Sequence, residues 1–221
     1  MKKSFYEHVK EWVIIILLVL IVRATLLQAY VIPTPSMENT LLVGDFLFVF
    51  KPNFGFVVPF TDIKIPEEVK PKRGDVVVFK FFNENKDYVK RVIGLEGDTV
   101  EIRNKKVYLN GKPLKEEYVI HTDPKVYEGL SGYSREEFQE YWEKGYFAGD
   151  IRVRDNFGPV VVPKGTVFVM GDNRDESWDS RFWGPLPYKY LRGKPLIIYF
   201  SFDWEKKRVR FERLLRIVWN I

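Results

Sequence analysis

Gly74-Asp75-Val76-Val77-Val78-Phe79-Lys80-Phe81-Phe82 couples a turn-forming pair to a run of β-branched and aromatic residues. Glycine and aspartate open turns, and valine and phenylalanine at this density favour an extended, packed strand. The signature recurs along the chain. Gly44-Asp45 precedes Phe46 to Phe50, Gly97-Asp98 precedes Thr99 to Ile102, and Gly165-Thr166 precedes Val167 to Met170. Lys106 to Leu109, turned at Asn110-Gly111, carries a hairpin signal, and Lys194 to Phe202 is a further strand candidate. Short strands with frequent turn signals predict a mainly β fold built on antiparallel sheet. The one interior helix the pattern predicts starts at Ser134, where Glu137 completes a capping box, and runs to about Trp142. It falls in a section, 112–162, that reads as an α/β subdomain inserted on the β-core. The tail from Val209 to Trp219 is expected to form a strand and then a short amphipathic helix.

Ahead of the strands, every residue from Trp12 to Val22 is apolar, Arg23 interrupts, and a mostly apolar register continues to Tyr30. A helix from about Trp12 to Tyr30 approaches the ~20 residues needed to span a bilayer, with Arg23 snorkelling outward. Lys2, Lys3 and Lys10 favour a cytoplasmic N-terminus. A cleavable signal peptide ending near Ala29 is the competing reading. The division that follows is 1–30 as cytoplasmic tip and signal anchor, and 31–221 as the second domain. The apolar segment Phe54 to Phe60 reads either as a buried plug or as a lipid contact beside the anchor.

Composition narrows the function classes. Hydrophobic content of 46% and aromatic content of 16% supply a packed core and exclude disorder. The net charge of +5 is spread along the chain without a basic run, so no nucleic-acid partner is expected. The absence of cysteine excludes disulfides, thiolate metal sites and a cysteine nucleophile. With only His8 and His121, a histidine-rich metal site has no ligands, and a Ser-His-Asp triad would rest on His121 alone.

Val31-Ile32-Pro33-Thr34-Pro35-Ser36-Met37-Glu38-Asn39-Thr40-Leu41 places a serine in a backbone stiffened by two prolines. On these residues alone it reads first as an ordinary linker and only second as a held nucleophile. A serine needs a base, and without a credible histidine that base is a lysine or a carboxylate. Lysine serves only if burial lowers its pKa. In Tyr88-Val89-Lys90-Arg91-Val92-Ile93-Gly94, Lys90 lies among apolar neighbours, although a surface strand with two solvated bases fits as well. Gly171-Asp172-Asn173-Arg174-Asp175-Glu176-Ser177-Trp178-Asp179-Ser180-Arg181 is denser in polar groups than a turn requires. A calcium loop is one account; a scaffold of Arg–carboxylate pairs placing a hydroxyl near the lysine is the other.

Pro35 to Leu41, Lys72 to Phe79, Tyr88 to Asp98 and Gly171 to Arg181, in this order and spacing behind an apolar N-terminal segment, resemble the motif series of bacterial type I signal peptidases. The resemblance covers nearly the whole chain except 112–162. It implies a β-domain of two antiparallel sheets behind a transmembrane helix. It also implies a membrane-bound endopeptidase that removes signal peptides, with Ser36 as nucleophile and Lys90 as base. Thr34 and the Ser36 N–H would form the oxyanion hole, and Ser177 would orient the lysine. Asp172, Arg91, Asp179 and Arg181 would support the site. Ile32, Pro33, Met37, Leu41, Tyr88 and Val89 would line the substrate pockets. The implied partners are preproteins and membrane lipid, with no cofactor or metal. A monomer is expected, single-pass in the plasma membrane, with the catalytic domain on the outer side.

Overall fold

Turn glycines and apolar runs become strands where the sequence places them. The computed structural model describes residues 5–54, 56–57, 64–65, 69–81, 84 and 86–218. The helix α1 (Phe5–Thr25) leads into β1 (Leu27–Val31) and β2 (Asp45–Phe50). Two short strands follow, β3 (Phe56–Val57) and β4 (Lys64–Ile65), and then β5 (Val76–Lys80) and β6 (Asp87–Gly94). Next come β7 (Thr99–Arg103), β8 (Lys106–Leu109), β9 (Lys112–Pro113), α2 (Arg135–Glu143), β10 (Phe157–Val161) and β11 (Thr166–Met170). The one-turn helix α3 (Ser180–Trp183), β12 (Leu186–Pro187), the long β13 (Leu191–Asp203), β14 (Arg208–Val209) and β15 (Arg216–Ile217) complete the order.

Among the described residues, nine strands join one sheet in the order β1-β2-β13-β5-β6-β11-β12, with β14 and β15 on β13. Four more form the order β10-β7-β8-β9. Every one of these pairings is antiparallel. The unbroken apolar run of β5 now has a cause. Val77 and Phe79 enter one hydrophobic cluster, whereas Val76 and Val78 enter the other, so both faces of the strand are buried. Each such side chain contributes about 1.5–3 kcal/mol of burial. The hairpin at Asn110-Gly111 forms with positive φ at both residues (51° and 79°), as a tight turn between β8 and β9 demands. Ser134 caps α2 through both halves of the predicted box: its hydroxyl accepts from Glu137 N, and Glu137 accepts from Ser134 N.

The structure corrects two expectations. The N-terminal helix ends at Thr25 rather than near Tyr30, because Leu27 to Val31 are taken as a sheet strand against Phe46 to Phe50. Glu7, Lys10 and Glu11 on one side and Arg23 on the other bound its apolar stretch. Among the described residues no helix is long and apolar enough to cross a membrane. The tail forms β14, a 3-10 turn at Phe211–Arg213 and β15 instead of an amphipathic helix, since Arg213 is drawn inward to Asp45. The section 112–162 packs on the core: β10 pairs with β7, and Phe138, Trp142, Phe147 and Val153 share a cluster with residues of β6 and β11. Most of the segment Phe54 to Phe60 lies outside the described residues. Phe54 itself is buried.

Candidate active site

The turn that carries Ser36 is built by its prolines. Thr34 is extended (φ −130°, ψ 152°), and Pro35 starts a one-turn 3-10 helix, Pro35–Met37. A proline at a first helical position lacks an N–H that would have no partner there. Upstream, Ile32 N–H donates to Asp45 O (2.9 Å) and Gly44 N–H donates to Ile32 O (2.9 Å). Downstream, Leu41 N–H donates to Met37 O (2.8 Å). The stretch that also read as a linker is therefore pinned at both ends, with Ser36 only 7% exposed.

Lys90 lies on β6 opposite Val77 and is 3% exposed. Its Nζ donates to Ser36 Oγ at 2.7 Å and to Val89 O at 3.1 Å. Burial lowers its pKa to about 8, against the opposing pull of Asp179 and Asp172. A lysine so placed holds a neutral fraction near physiological pH and stands within proton-transfer distance of the hydroxyl. Thr34 Oγ1 lies 3.4 Å from Ser36 Oγ.

The loop after β11 braces this pair. Asp172 accepts from Arg91 Nε (2.8 Å) and Nη2 (2.7 Å) and from Thr40 Oγ1 (2.5 Å). Arg91 Nη2 also donates to Thr40 Oγ1 (3.0 Å). One buried cluster thus joins the strand of Lys90, the loop and the turn of Ser36. Asp179 caps α3 and accepts from Arg181 Nε and Nη2, both at 2.8 Å. Burial pushes the Asp179 pKa up, and Arg181 beside it more than offsets this, so the carboxyl stays below its usual range. Arg181 also donates to the carbonyls of Arg154 and Arg174, both at 2.7 Å.

Ser177 Oγ accepts from Gly171 N–H (3.1 Å) and hydrogen-bonds Asp179. The hydrogen bonds of Lys90 run to Ser36 and Val89, not to Ser177. Gly171 lies between the two serines: a Cβ there would collide with Ser36 O and with Ser177 Oγ. Only glycine admits so close an approach. Asn173 N–H donates to Ser36 O (3.2 Å) from the same loop. Three carboxylates of the loop that suggested a cation, Asp172, Asp179 and Asp175, are engaged by Arg91, Arg181 and Lys105. His121 lies 3.5 Å from Asp175 and takes no part in the Ser36–Lys90 pair.

Beside Ser36 and Lys90 opens a cavity of about 340 Å³ whose walls include Ile32, Pro33, Met37, Tyr88 and Val89. Leu41 is fully buried in the cluster that also holds Met37, beneath the cavity rather than on its wall. The register of β11 on β6 begins at Arg91, so among the described residues no strand covers the outer edge of Asp87 to Lys90. Thr40, Asn39 and Tyr118 also hold the site together. Thr40 and Asn39 sat in the quoted serine stretch without an assigned role, and Tyr118 lay where no motif drew notice.

A profile of the family described as signal peptidase, peptidase S26, matches residues 5–200. A signal peptidase I of Buchnera aphidicola subsp. Schizaphis graminum (strain Sg) is 34% identical over 254 residues, covering 98% of this chain and 81% of that protein. One from Bacillus licheniformis is 35% identical over 207 residues, covering 93% of this chain and 94% of that one. A crystal structure of a signal peptidase I from Enterococcus faecalis V583 is 29% identical, with a TM-score of 0.40 over 57% of this chain and 96% of that one. With the profile spanning most of its length and such identity across nearly all of it, the chain belongs to the signal peptidase family, peptidase S26.

Proposed function

We propose that this peptidase removes N-terminal signal peptides from exported preproteins with a Ser/Lys dyad, cutting after a small residue at an Ala-x-Ala type site. The observation that carries the reading is the 2.7 Å hydrogen bond between a buried, pKa-lowered Lys90 and Ser36 Oγ. Neutral Lys90 takes the Ser36 proton as Oγ attacks the scissile carbonyl carbon. The oxyanion accepts hydrogen bonds from the Ser36 N–H and the Thr34 hydroxyl. As the C–N bond breaks, the Lys90 ammonium returns the proton to the leaving amine, leaving an ester on Ser36. Lys90 then deprotonates a water that hydrolyses the ester. Ser177 shapes the lysine pocket from behind Gly171 and holds Asp179, while Asp172 with Arg91 and Asp179 with Arg181 fix the loop.

The substrate lies extended between the Ile32–Thr34 segment and the open edge of Asp87 to Val89, pairing as an added strand. Its small side chains enter the cavity lined by Ile32, Met37 and Val89. The helix α1 anchors the enzyme in the bacterial plasma membrane. Its apolar run is exposed all round (Trp12 65%, Leu18 60%, Ile21 58%), a surface that suits lipid. Positive charge ahead of the run keeps the N-terminus cytoplasmic and the site on the outer side. The enzyme acts as a monomer without cofactor.

The test uses full-length protein in detergent and a preprotein with an Ala-x-Ala site, with product ends read by mass spectrometry. A single cut after the alanine, lost in Ser36→Ala and in Lys90→Ala, is the expected result. Binding without cleavage by the wild type would leave only an extended-peptide-binding module.

A further inference from the structure

Residues Glu116 to Asp123, in a section without a recognisable motif, form a strap against all three parts of the candidate site. Asn39, three residues past Ser36 and held at φ 84°, donates from Nδ2 to Tyr118 O (3.0 Å). The Tyr118 ring covers the Arg91 guanidinium, with Cζ 4.0 Å from the ring centre. The Tyr118 hydroxyl donates to Glu116 Oε1 (2.9 Å), and Glu116 pairs with Arg174 of the loop. Ile120 then bridges to Asn173: its N–H donates to Asp172 O (3.0 Å), and its carbonyl accepts from Arg174 N–H (3.1 Å).

The geometry gives the ring a specific task. Arg91 spends four of its five in-plane N–H donors on Asp172, Thr40 Oγ1 and Gly74 O. What also remains open is the flat face of the guanidinium, which an aromatic ring covers well. Excluding water there strengthens the Arg91–Asp172–Thr40 tie, since charges attract more strongly in a dry setting. Burial raises the Tyr118 hydroxyl pKa well above its usual value, so it stays a neutral donor to Glu116. We propose that Tyr118 is a positioning residue for the Ser36–Lys90 pair. Its ring keeps the tie dry, and its carbonyl holds the Asn39 end of the nucleophile turn. Together they keep Ser36 Oγ in reach of a desolvated Lys90. The proposal rests on the dyad reading above.

The experiment measures kcat and KM for preprotein cleavage from pH 6 to 10, with the full-length enzyme in detergent below its unfolding temperature. Tyr118→Leu should lower kcat about 100-fold, the scale of a misplaced reacting group, with KM little changed. The acid limb of the profile should move to higher pH, because a better-solvated Lys90 holds its proton more tightly. Tyr118→Phe, which keeps the ring, should restore both. If Tyr118→Leu does not fold, Asn39→Gly, which tolerates the positive φ and removes only the Nδ2 bond, should lower kcat several-fold in the same direction. Wild-type kcat and an unmoved acid limb, or a loss explained by lowered thermal stability alone, would overturn the proposal. Full activity in Ser36→Ala would instead sink the dyad reading, and this proposal with it.

Discussion

Burial lowers the pKa of Lys90 from lysine's usual 10.5 to about 8, and this change acts on catalysis and stability in opposite senses. With Lys90 as the proposed base, catalysis needs the neutral amine, so kcat/KM should rise with pH through about 8 and level off above it. Stability carries the cost. Between pH 8 and 10.5 the unfolded chain holds a proton that the native state has released, so native stability declines as pH falls through this window. Below pH 8 the full penalty is present, on the order of 3 kcal/mol at about 1.4 kcal/mol per pKa unit. Lys90→Met should therefore be inactive yet more stable than wild type at pH 7, by up to that amount. The gain should shrink as the pH approaches 10. Urea unfolding at pH 7 and 9.5 checks this, and an unchanged or lower stability at pH 7 would mean that desolvation does not set the lysine's pKa.

The C-terminal tail, paired with β13 through β14 and β15, shows how one side chain adds a tie to the core. The turn Phe211–Arg213 delivers Arg213, 5% exposed, to Asp45 at the start of β2. Arg213 Nε and Nη2 donate to Asp45 at 2.9 and 2.6 Å, and Nη2 also donates to Thr40 O at 3.0 Å. Asp45 completes its shell with Ser201 Oγ (2.7 Å) and Leu42 N–H (2.8 Å). The tail is thereby tied to the turn that carries Ser36. Arg213→Ala leaves Asp45 buried and charged without its cation, which costs about 3–5 kcal/mol. For a chain of this size that is a fall in Tm of roughly 10 °C. The double variant Asp45→Asn with Arg213→Met should recover part of the loss, since it removes both charges together. Scanning calorimetry of the three proteins decides the matter: a change below about 1 kcal/mol in Arg213→Ala would show that water reaches the pair.

At the scale of the molecule, what the sequence discloses and what it hides divide by distance along the chain. Turn-opened strands, the Ser134 capping box and the Asn110-Gly111 hairpin depend on neighbours and were legible. Ser36 and Lys90 were paired by the resemblance of their motifs, since residue chemistry alone left a linker and a solvated strand open to them. Three features depend on long-range packing, for which a single sequence carries no local sign: β13 between β2 and β5, the Tyr118 strap over Arg91, and Arg213 in the core. The changeover from α1 to β1 was missed for the same reason, since Leu27 to Tyr30 suit a helix until Phe46 to Phe50 offer a strand partner. That changeover leaves β1, and the Ser36 turn beyond it, only a short distance from the end of α1. An anchor so closely joined to the sheet would hold the cavity near the lipid surface. The uninterrupted apolar run from Trp12 to Val22 is about 16 Å long at 1.5 Å per residue, short of the hydrocarbon core of a bilayer. For the anchor proposed above, retention would therefore depend on every residue of the run, with Lys10 and Arg23 reaching outward to the interfaces. A charge at its centre costs about 2.5–3.5 kcal/mol, on the order of a hundredfold in partition. Leu17→Arg should move the protein from the vesicle pellet to the supernatant in flotation and carbonate extraction. Cleavage of a short soluble peptide should be unchanged, since α1 contributes nothing to the cavity walls. Undiminished retention of Leu17→Arg would locate the membrane contact elsewhere, on the catalytic domain itself.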